Sequence, residues 1–352
     1  MRVLIDLNHP AHAHLFRHVF FGLRARGHEC RVTARDKDVT LRLLKAWEIP
    51  CSMLAPLGRT LPARALELLR REARFLALAR DFRPDLITGT TAHAGRVGRL
   101  VGARSAVLNE DDARAVPLFR WVAYPLATLI VTPDSLRHEG YGRRHATYPS
   151  YQELFYLHPN RFTPDPGVRR ELGVAEGEPY AVVRLSALEA HHDVGARGIG
   201  EELLQAVMRA ARARGIRVFI SGEKPLPREL EPLRIPIPPE RMHDAMAFAE
   251  LFVGDSQTMT AEAAVLGTPA FRLSDFVGRL TYLEELRAYG LAFGFRPGQE
   301  AALVEALEAL LDRPDRRAVM AARRARLLAE KIDPLPWFLD TAEALAAGRL
   351  PA

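Results

Sequence analysis

The chain has 352 residues, 48% of them hydrophobic, which is room for two domains of ordinary size, each with its own core. Its formal net charge of +6, carried mostly by arginine, favours anionic partners such as nucleotides, phospholipid surfaces or nucleic acid. No helix-turn-helix, zinc finger or aromatic-basic motif selects nucleic acid, and no apolar run reaches the roughly 20 residues of a spanning helix.

In chain order, residues 2–7 read as a strand carrying one aspartate rather than as a signal peptide. Residues 11–26 read as a helix with Leu15, Val19 and Leu23 on one face, stopped by Gly27. A strand at 29–34 follows, and Asp36 is placed to cap the next helix. Residues 61–81 form a long Arg-rich amphipathic helix, then come strands at 85–88, 106–109 and 129–132. Residues 149–179 are rich in proline and turn residues and read as a connection. The alternation then resumes. Strands fall at 180–185, 217–221, 251–253 and 270–273, with helices at 199–214 and 243–249. The expected class is therefore α/β, with two Rossmann-like, doubly wound parallel sheets. The expected division is residues 1–150, a linker at 151–178, and a second domain at 179–332. Cys30 and Cys51 have neither metal spacing nor a disulfide framework, which fits the reducing cytoplasm.

Ligands of doubly wound sheets lie at the carboxyl ends of strands, where the strand order reverses, and two facing sheets leave a cleft. The loops after the strands should then carry unusual polar residues, and they do. The strongest is Gly254-Asp-Ser-Gln-Thr-Met-Thr-Ala-Glu262, a strand end leading into a helix that Gly267 and Pro269 terminate. Free N–H groups and the dipole at such a start attract anions, with Asp255, Ser256, Gln257 and Thr258 around it and Glu262 on the first turns. The same residues also fit an ordinary strand–turn–helix whose hydroxyls only cap the helix.

After the first strand come Asn8, His9, His12 and His14, with His18 a turn beyond. These histidines read either as a solvated helix face or as site residues; their spacing argues against a metal. After residues 85–88 come Thr90, Thr91 and His93, and after 106–109 come Glu110, Asp111 and Asp112. The acidic triplet is either a helix cap or the source of a general base. Arg184, in an apolar strand ahead of Ser186, demands an anionic partner. That partner is either a diphosphate at Ser256–Thr258 or Asp255. His191, His192 and Asp193 follow, then Ser221-Gly222-Glu-Lys224 after the next strand.

Leu4-Ile-Asp-Leu-Asn-His-Pro-Ala-His-Ala-His14, Thr33-Ala-Arg-Asp-Lys37 and Gly254-Asp-Ser-Gln-Thr-Met259 together carry a resemblance over nearly the whole chain. It resembles a prokaryotic family, without a settled activity, of the GT-B superfamily of nucleotide-sugar glycosyltransferases and UDP-N-acetylglucosamine 2-epimerases. The resemblance implies a metal-independent reaction on a nucleotide sugar in the cleft, with no further cofactor. It implies phosphates on Ser256, Gln257 and Thr258, the ribose on Glu262, and the base near Gly222 and Pro239-Glu-Arg-Met242-His243. It puts His14 and Glu110 toward the sugar, and sends the last helix, residues 333–352, back to the first domain. Two departures stand out. The first loop has His-Pro-Ala-His where inverting transferases often have glycines, and the epimerase stretches Gly-Thr-Arg-Pro-Glu and His-Arg-Arg are missing.

The expectation is a glycosyltransferase of envelope or surface-polysaccharide synthesis, using a UDP-sugar donor and a glycan or lipid-linked acceptor. His14 or Asp111 would deprotonate the acceptor, while Arg184, Ser186 and the Ser256 start stabilise the departing diphosphate. The alternatives are an epimerase acting on the nucleotide sugar itself, and a non-catalytic nucleotide-sugar-binding scaffold. The Arg-rich helix at 62–83 and the apolar run at 118–126 read either as packing plus a solvated face or as a peripheral contact with an anionic inner-membrane face.

Overall fold

The computed structural model describes residues 1–35, 38–54, 61–186, 198–222 and 225–350, with backbone alone for 38 and 61–69. The chain divides into two compact units, residues 1–158 with 332–352, and residues 159–331.

The first unit is built on a seven-stranded parallel sheet. Its strands are β1 (Arg2–Leu7), β2 (Glu29–Ala34), β3 (Cys51–Met53), β4 (Leu86–Gly89), β5 (Arg104–Leu108), β6 (Leu129–Pro133) and β7 (His145–Tyr148). They lie in the order β3-β2-β1-β4-β5-β6-β7. Such strands are apolar on both faces because helices cover both. Leu4, Ile87, Val107 and Ile130 pack with Phe75, Ala79 and Phe82 of helix Leu61–Phe82 and with Ala94 and Val97 of helix His93–Val101. Helix Pro10–Ala25 buries Ala13, Leu15, Phe16, Val19, Phe20 and Leu23. Helices Leu154–Leu157 and Pro334–Ala346 pack against it. Residues 151–157, expected as part of a linker, are all buried in this unit. Their turn-rich surroundings hid the apolar cluster of Tyr151, Leu154, Phe155, Tyr156 and Leu157.

The second unit holds five parallel strands, β8 (Tyr180–Leu185), β9 (Arg217–Gly222), β10 (Leu251–Gly254), β11 (Ala270–Leu273) and β12 (Ala292–Phe295), in the order β12-β11-β10-β8-β9. One face is the core of Val183, Ile220, Val253 and Phe271 with Leu203, Val207, Leu303 and Leu307 from helices Glu201–Arg212 and Glu300–Leu311. Each such side chain contributes about 1.5–3 kcal/mol when fully buried. The other face is covered by helix Gln257–Leu266, buried from Thr260 to Leu266 and ended by Gly267 at φ 88°. No other residue type adopts that backbone conformation without strain.

β3, β7 and β12 were not among the strands read from the sequence: Cys-Ser-Met and His-Ala-Thr-Tyr lack an apolar run, and a glycine interrupts Ala-Phe-Gly-Phe. Helix His93–Val101 escaped it because it contains two glycines, poor helix formers. The strand order reverses once in each sheet, between β1 and β4 and between β8 and β10.

Candidate functional site

At the second reversal, β10 and β8 run side by side with Gly254 level with Arg184. The chain leaves β10 through buried Asp255 and enters the helix at Ser256, whose Oγ accepts from the Met259 N–H at 3.3 Å. Thr260 Oγ1 donates back to the Ser256 carbonyl at 2.6 Å. One donor of the first turn is thus satisfied, while the N–H groups of Gln257 and Thr258 keep no acceptor inside the helix. Asp255, expected among the substrate-binding residues, is held by backbone amides. It accepts from the Ser186 N–H at 2.8 Å and the Ile199 N–H at 3.3 Å, tying the loop after β8 to the end of β10. Burial raises its pKa, against these bonds. The Ser186 N–H is consumed in the same staple. Arg184 is half-buried and donates to Ser221 Oγ at 2.9 Å. Gly222 closes β9, half-buried beside it. His191, His192, Asp193, Glu223, Lys224 and Asp36 lie outside the described residues.

Glu262 and His243, singled out separately in the sequence, come together. The His243 Nε2 lies 3.0 Å from Glu262 Oε1, and both side chains are buried. Met242 opens the short helix that carries His243, and the Phe162 ring stands edge-on to the imidazole at 6.2 Å. The sequence reading missed Arg272 on β11. Its side chain is 2% exposed, and its Nη1 donates to Gln257 Oε1 at 2.8 Å. Gln257 Nε2 reaches Ser274 Oγ at 3.3 Å. Desolvation pulls the Arg272 guanidinium below its ordinary pKa. The available signal was a charge inside the strand Ala-Phe-Arg-Leu, the same signal that drew attention to Arg184.

At the first reversal, Asp6 and Gly89 are level on β1 and β4. A Cβ at position 89 would sit 2.4 Å from the Asp6 carbonyl oxygen, so only glycine fits there. The Asp6 carboxylate, fully buried, accepts from Thr33 Oγ1 at 2.8 Å and from Arg71 Nη2 at 3.0 and 3.1 Å. Arg71 also donates to Asn8 Oδ1. An inward arginine on the Arg-rich helix was not foreseen, because side chains at helical spacing do not announce their partners. Beyond Gly89, the Thr90 and Thr91 hydroxyls and His93 Nδ1 are buried with no hydrogen-bond partner among the described residues. Burial lowers the pKa of His93, opposed by Asp6. A lone ion-pair contact links its Nδ1 to Glu72 at 3.8 Å.

Glu110 is buried and Asp111 half-buried after β5, with Asn109 Nδ2 donating to the Asp111 carbonyl at 2.5 Å. The acidic triplet does not cap a helix. Helix Pro117–Ala123 starts after Val116, with no side-chain cap. His9 does cap, its Nδ1 accepting from the Ala11 N–H at 3.2 Å, and His12 Nδ1 accepts from the Asn8 N–H at 3.3 Å. His14 is half-buried, its ring 5.0 Å from Trp47 and 5.5 Å from Tyr156. Among the described residues, the group spaced to hold a metal is Asp112, His138 and Glu139, with ligand atoms within 4.8 Å of one another. Glu139 Oε1 already accepts from the Ala113 N–H at 2.5 Å. No helix among the described residues is long and apolar enough to cross a membrane.

Residues 1–281 match the family described as "Protein of unknown function (DUF354)". The sequence matches none of the curated proteins with which it was compared. Among solved structures, the chain is similar to S. aureus MnaA with UDP (13% identity, TM-score 0.73, covering 99% of this chain and 97% of that one). It is also similar to UDP-GlcNAc 2-epimerase from Neisseria meningitidis bound to UDP-GlcNAc (14%, 0.67, 98% and 100%). A third is the spinosyn forosaminyltransferase SpnP (18%, 0.65, 99% and 99%). These likenesses establish the fold: two parallel sheets of seven and five strands in the GT-B arrangement of epimerases and glycosyltransferases.

Proposed function

The chain belongs to the DUF354 family, and we propose that it is a glycosyltransferase taking a UDP-sugar donor. The observation that carries this reading is the helix start at Ser256, set where the strand order reverses, with the buried His243–Glu262 pair on the same unit. The N–H groups of Gln257 and Thr258, which have no acceptor inside the helix, suit a diphosphate, and the helix dipole favours its charge there. Glu262, its rotamer held by His243, takes ribose hydroxyls as an acceptor. As the sugar leaves, the same N–H groups meet the charge that develops on the diphosphate. The similarity to a protein solved with UDP supports the nucleotide. In the first unit His14 is the base for the acceptor hydroxyl, and Glu110, Asp111, Thr90, Thr91 and His93, the last three with side-chain atoms lacking a hydrogen-bond partner among the described residues, are further polar groups of that unit. Buried donors and acceptors without partners are rare in proteins and are expected where a ligand or water completes them.

The deciding experiment is titration calorimetry of UDP, GDP, ADP and dTDP against the wild type and Glu262→Ala. Saturable binding of UDP, lost in the variant, is the expected result; no binding by any nucleotide would end the reading. A second reading, an epimerase acting on the nucleotide sugar itself, draws on the likeness to the Neisseria enzyme. NMR of the products formed with water alone separates the two.

A further inference from the structure

Arg272 is buried to 2% exposure in a strand whose other members, Ala270, Phe271 and Leu273, are apolar. Among the described residues no carboxylate lies within ion-pair distance of it, and its one hydrogen bond goes to a neutral amide, Gln257 Oε1. Tyr282 and Glu284 act on it electrostatically, and the Glu284 carboxylate is engaged with the Gly278 N–H at 2.8 Å and with Arg287 at 3.5 Å. A guanidinium taken out of water without an opposite charge is destabilising, and arginine does not escape by losing its proton. Such a residue is expected where the opposite charge arrives from outside. Gln257, which Arg272 holds, is the first residue of the ten-residue helix at the phosphate site, and Ser274 holds the other end of the same amide.

We propose that Arg272 is the charge-selecting positioning residue of this site: a pyrophosphate group on the helix start is its missing counter-charge, and Arg272 acts on it through Gln257. This rests on the reading that the helix start takes a phosphoanion. It adds the residue whose charge makes the site prefer a full pyrophosphate over a single phosphate or a neutral sugar. The buried positive charge is felt at short range, in a medium that screens poorly, so each added phosphate charge gains from it and a neutral nucleoside does not.

The test uses the full chain as wild type and as Arg272→Met, which keeps the volume and removes the charge. Affinities are measured for inorganic pyrophosphate, UDP, UMP and uridine, alongside the thermal midpoint without ligand. The expected result is a loss of about ten- to a hundredfold in UDP and pyrophosphate affinity, with a smaller loss for UMP. The UDP-to-UMP preference therefore shrinks. The midpoint without ligand stays or rises, because an uncompensated charge has been removed. A lower midpoint with the UDP-to-UMP preference intact would assign Arg272 to structure and overturn the proposal. Gln257→Ala, at a half-buried helix start, gives a second route should Arg272→Met fail to fold. It must also compress the UDP-to-UMP preference, and an unchanged preference overturns the proposal. Pyrophosphate binding that needs Arg272, without binding of any nucleotide, would keep this inference and remove the nucleotide-sugar reading. Equal binding of UDP by wild type and Arg272→Met would do the reverse. A wild type that binds neither pyrophosphate nor nucleotide overturns both.

Discussion

Arg71 in the first unit and Arg272 in the second are equally buried, each 2% exposed and each beside the point where its sheet reverses. Arg71 carries its opposite charge with it in Asp6, and Asn8 and Thr33 add hydrogen bonds to the pair. Among the described residues Arg272 hydrogen-bonds an amide and has no carboxylate within ion-pair distance. Equal burial therefore has opposite meanings. The first arginine is part of what holds its sheet end together, whereas the second is a charge without an ion-pair partner among the described residues. The polar hydroxyls follow the reverse pattern. In the second unit Ser256 and Thr260 satisfy each other's neighbours, while in the first Thr90 and Thr91 have no partner among the described residues.

The largest effect should come from a residue that belongs to neither arginine. His14→Ala is expected to cut turnover by roughly 10²–10⁴, with nucleotide affinity unchanged, if the first unit carries chemistry and the second carries binding. Full activity of that variant on an identified substrate would remove the division. Next is stability. Arg71→Met should cost about 3–5 kcal/mol in a denaturant titration, because it removes the counter-charge of the buried Asp6 carboxylate and leaves it only the Thr33 hydroxyl. If Arg71→Met and Arg272→Met have the same midpoint, the contrast between the two arginines is wrong. Thr91→Val comes third. Deleting an unsatisfied buried hydroxyl should leave stability within about 1 kcal/mol of wild type or raise it, and a larger loss would mean the hydroxyl has a partner in the free protein.

The smallest effect is the acid side of the stability profile. Burial holds the His93 proton affinity below the ordinary 6.5, so the unfolded chain takes up that proton first. The stability from His93 is complete above pH 6.5 and falls as the pH drops through 6.5 toward the folded value. His93→Gln should flatten that part of the profile, and superimposable curves would exclude His93 as its source.

Much of this was legible in the sequence, for physical reasons that also mark where legibility ended. Strand and helix periods gave two alternating halves, and the rule that ligands gather beyond strand ends selected the loops after β1, β4, β8 and β10. The two backbone amides that Asp255 binds could not be read ahead, because a carboxylate at a loop looks the same whether it faces a ligand or the chain itself. The pairing of His243 with Glu262 joins residues that belong to different elements, and no local pattern reports it. Arg184 and Arg272 show the same sequence signal, a charge in an apolar strand. Arg184 sits near the strand end with Ser221 in reach, whereas Arg272 is covered by helix Gln257–Leu266. Only the depth distinguishes them, and depth is a property of the packed layer.

The three tryptophans of the chain, Trp47, Trp121 and Trp337, all fall in the first unit. Trp47 lies under the Arg17 guanidinium at 4.8 Å and beside His14, Trp337 is 5.5 Å from Tyr148, and Trp121 is 77% exposed. Indole emission is therefore a private spectroscopic channel for residues 1–158 and 332–352, and residues 159–331 are dark in it. Far-ultraviolet dichroism sees both units. Recorded on the same sample, the two signals tell whether the units melt together or in sequence, without any introduced label. A fluorophore change on adding a nucleotide would then be a message that has reached the unit that does not hold the Ser256 helix.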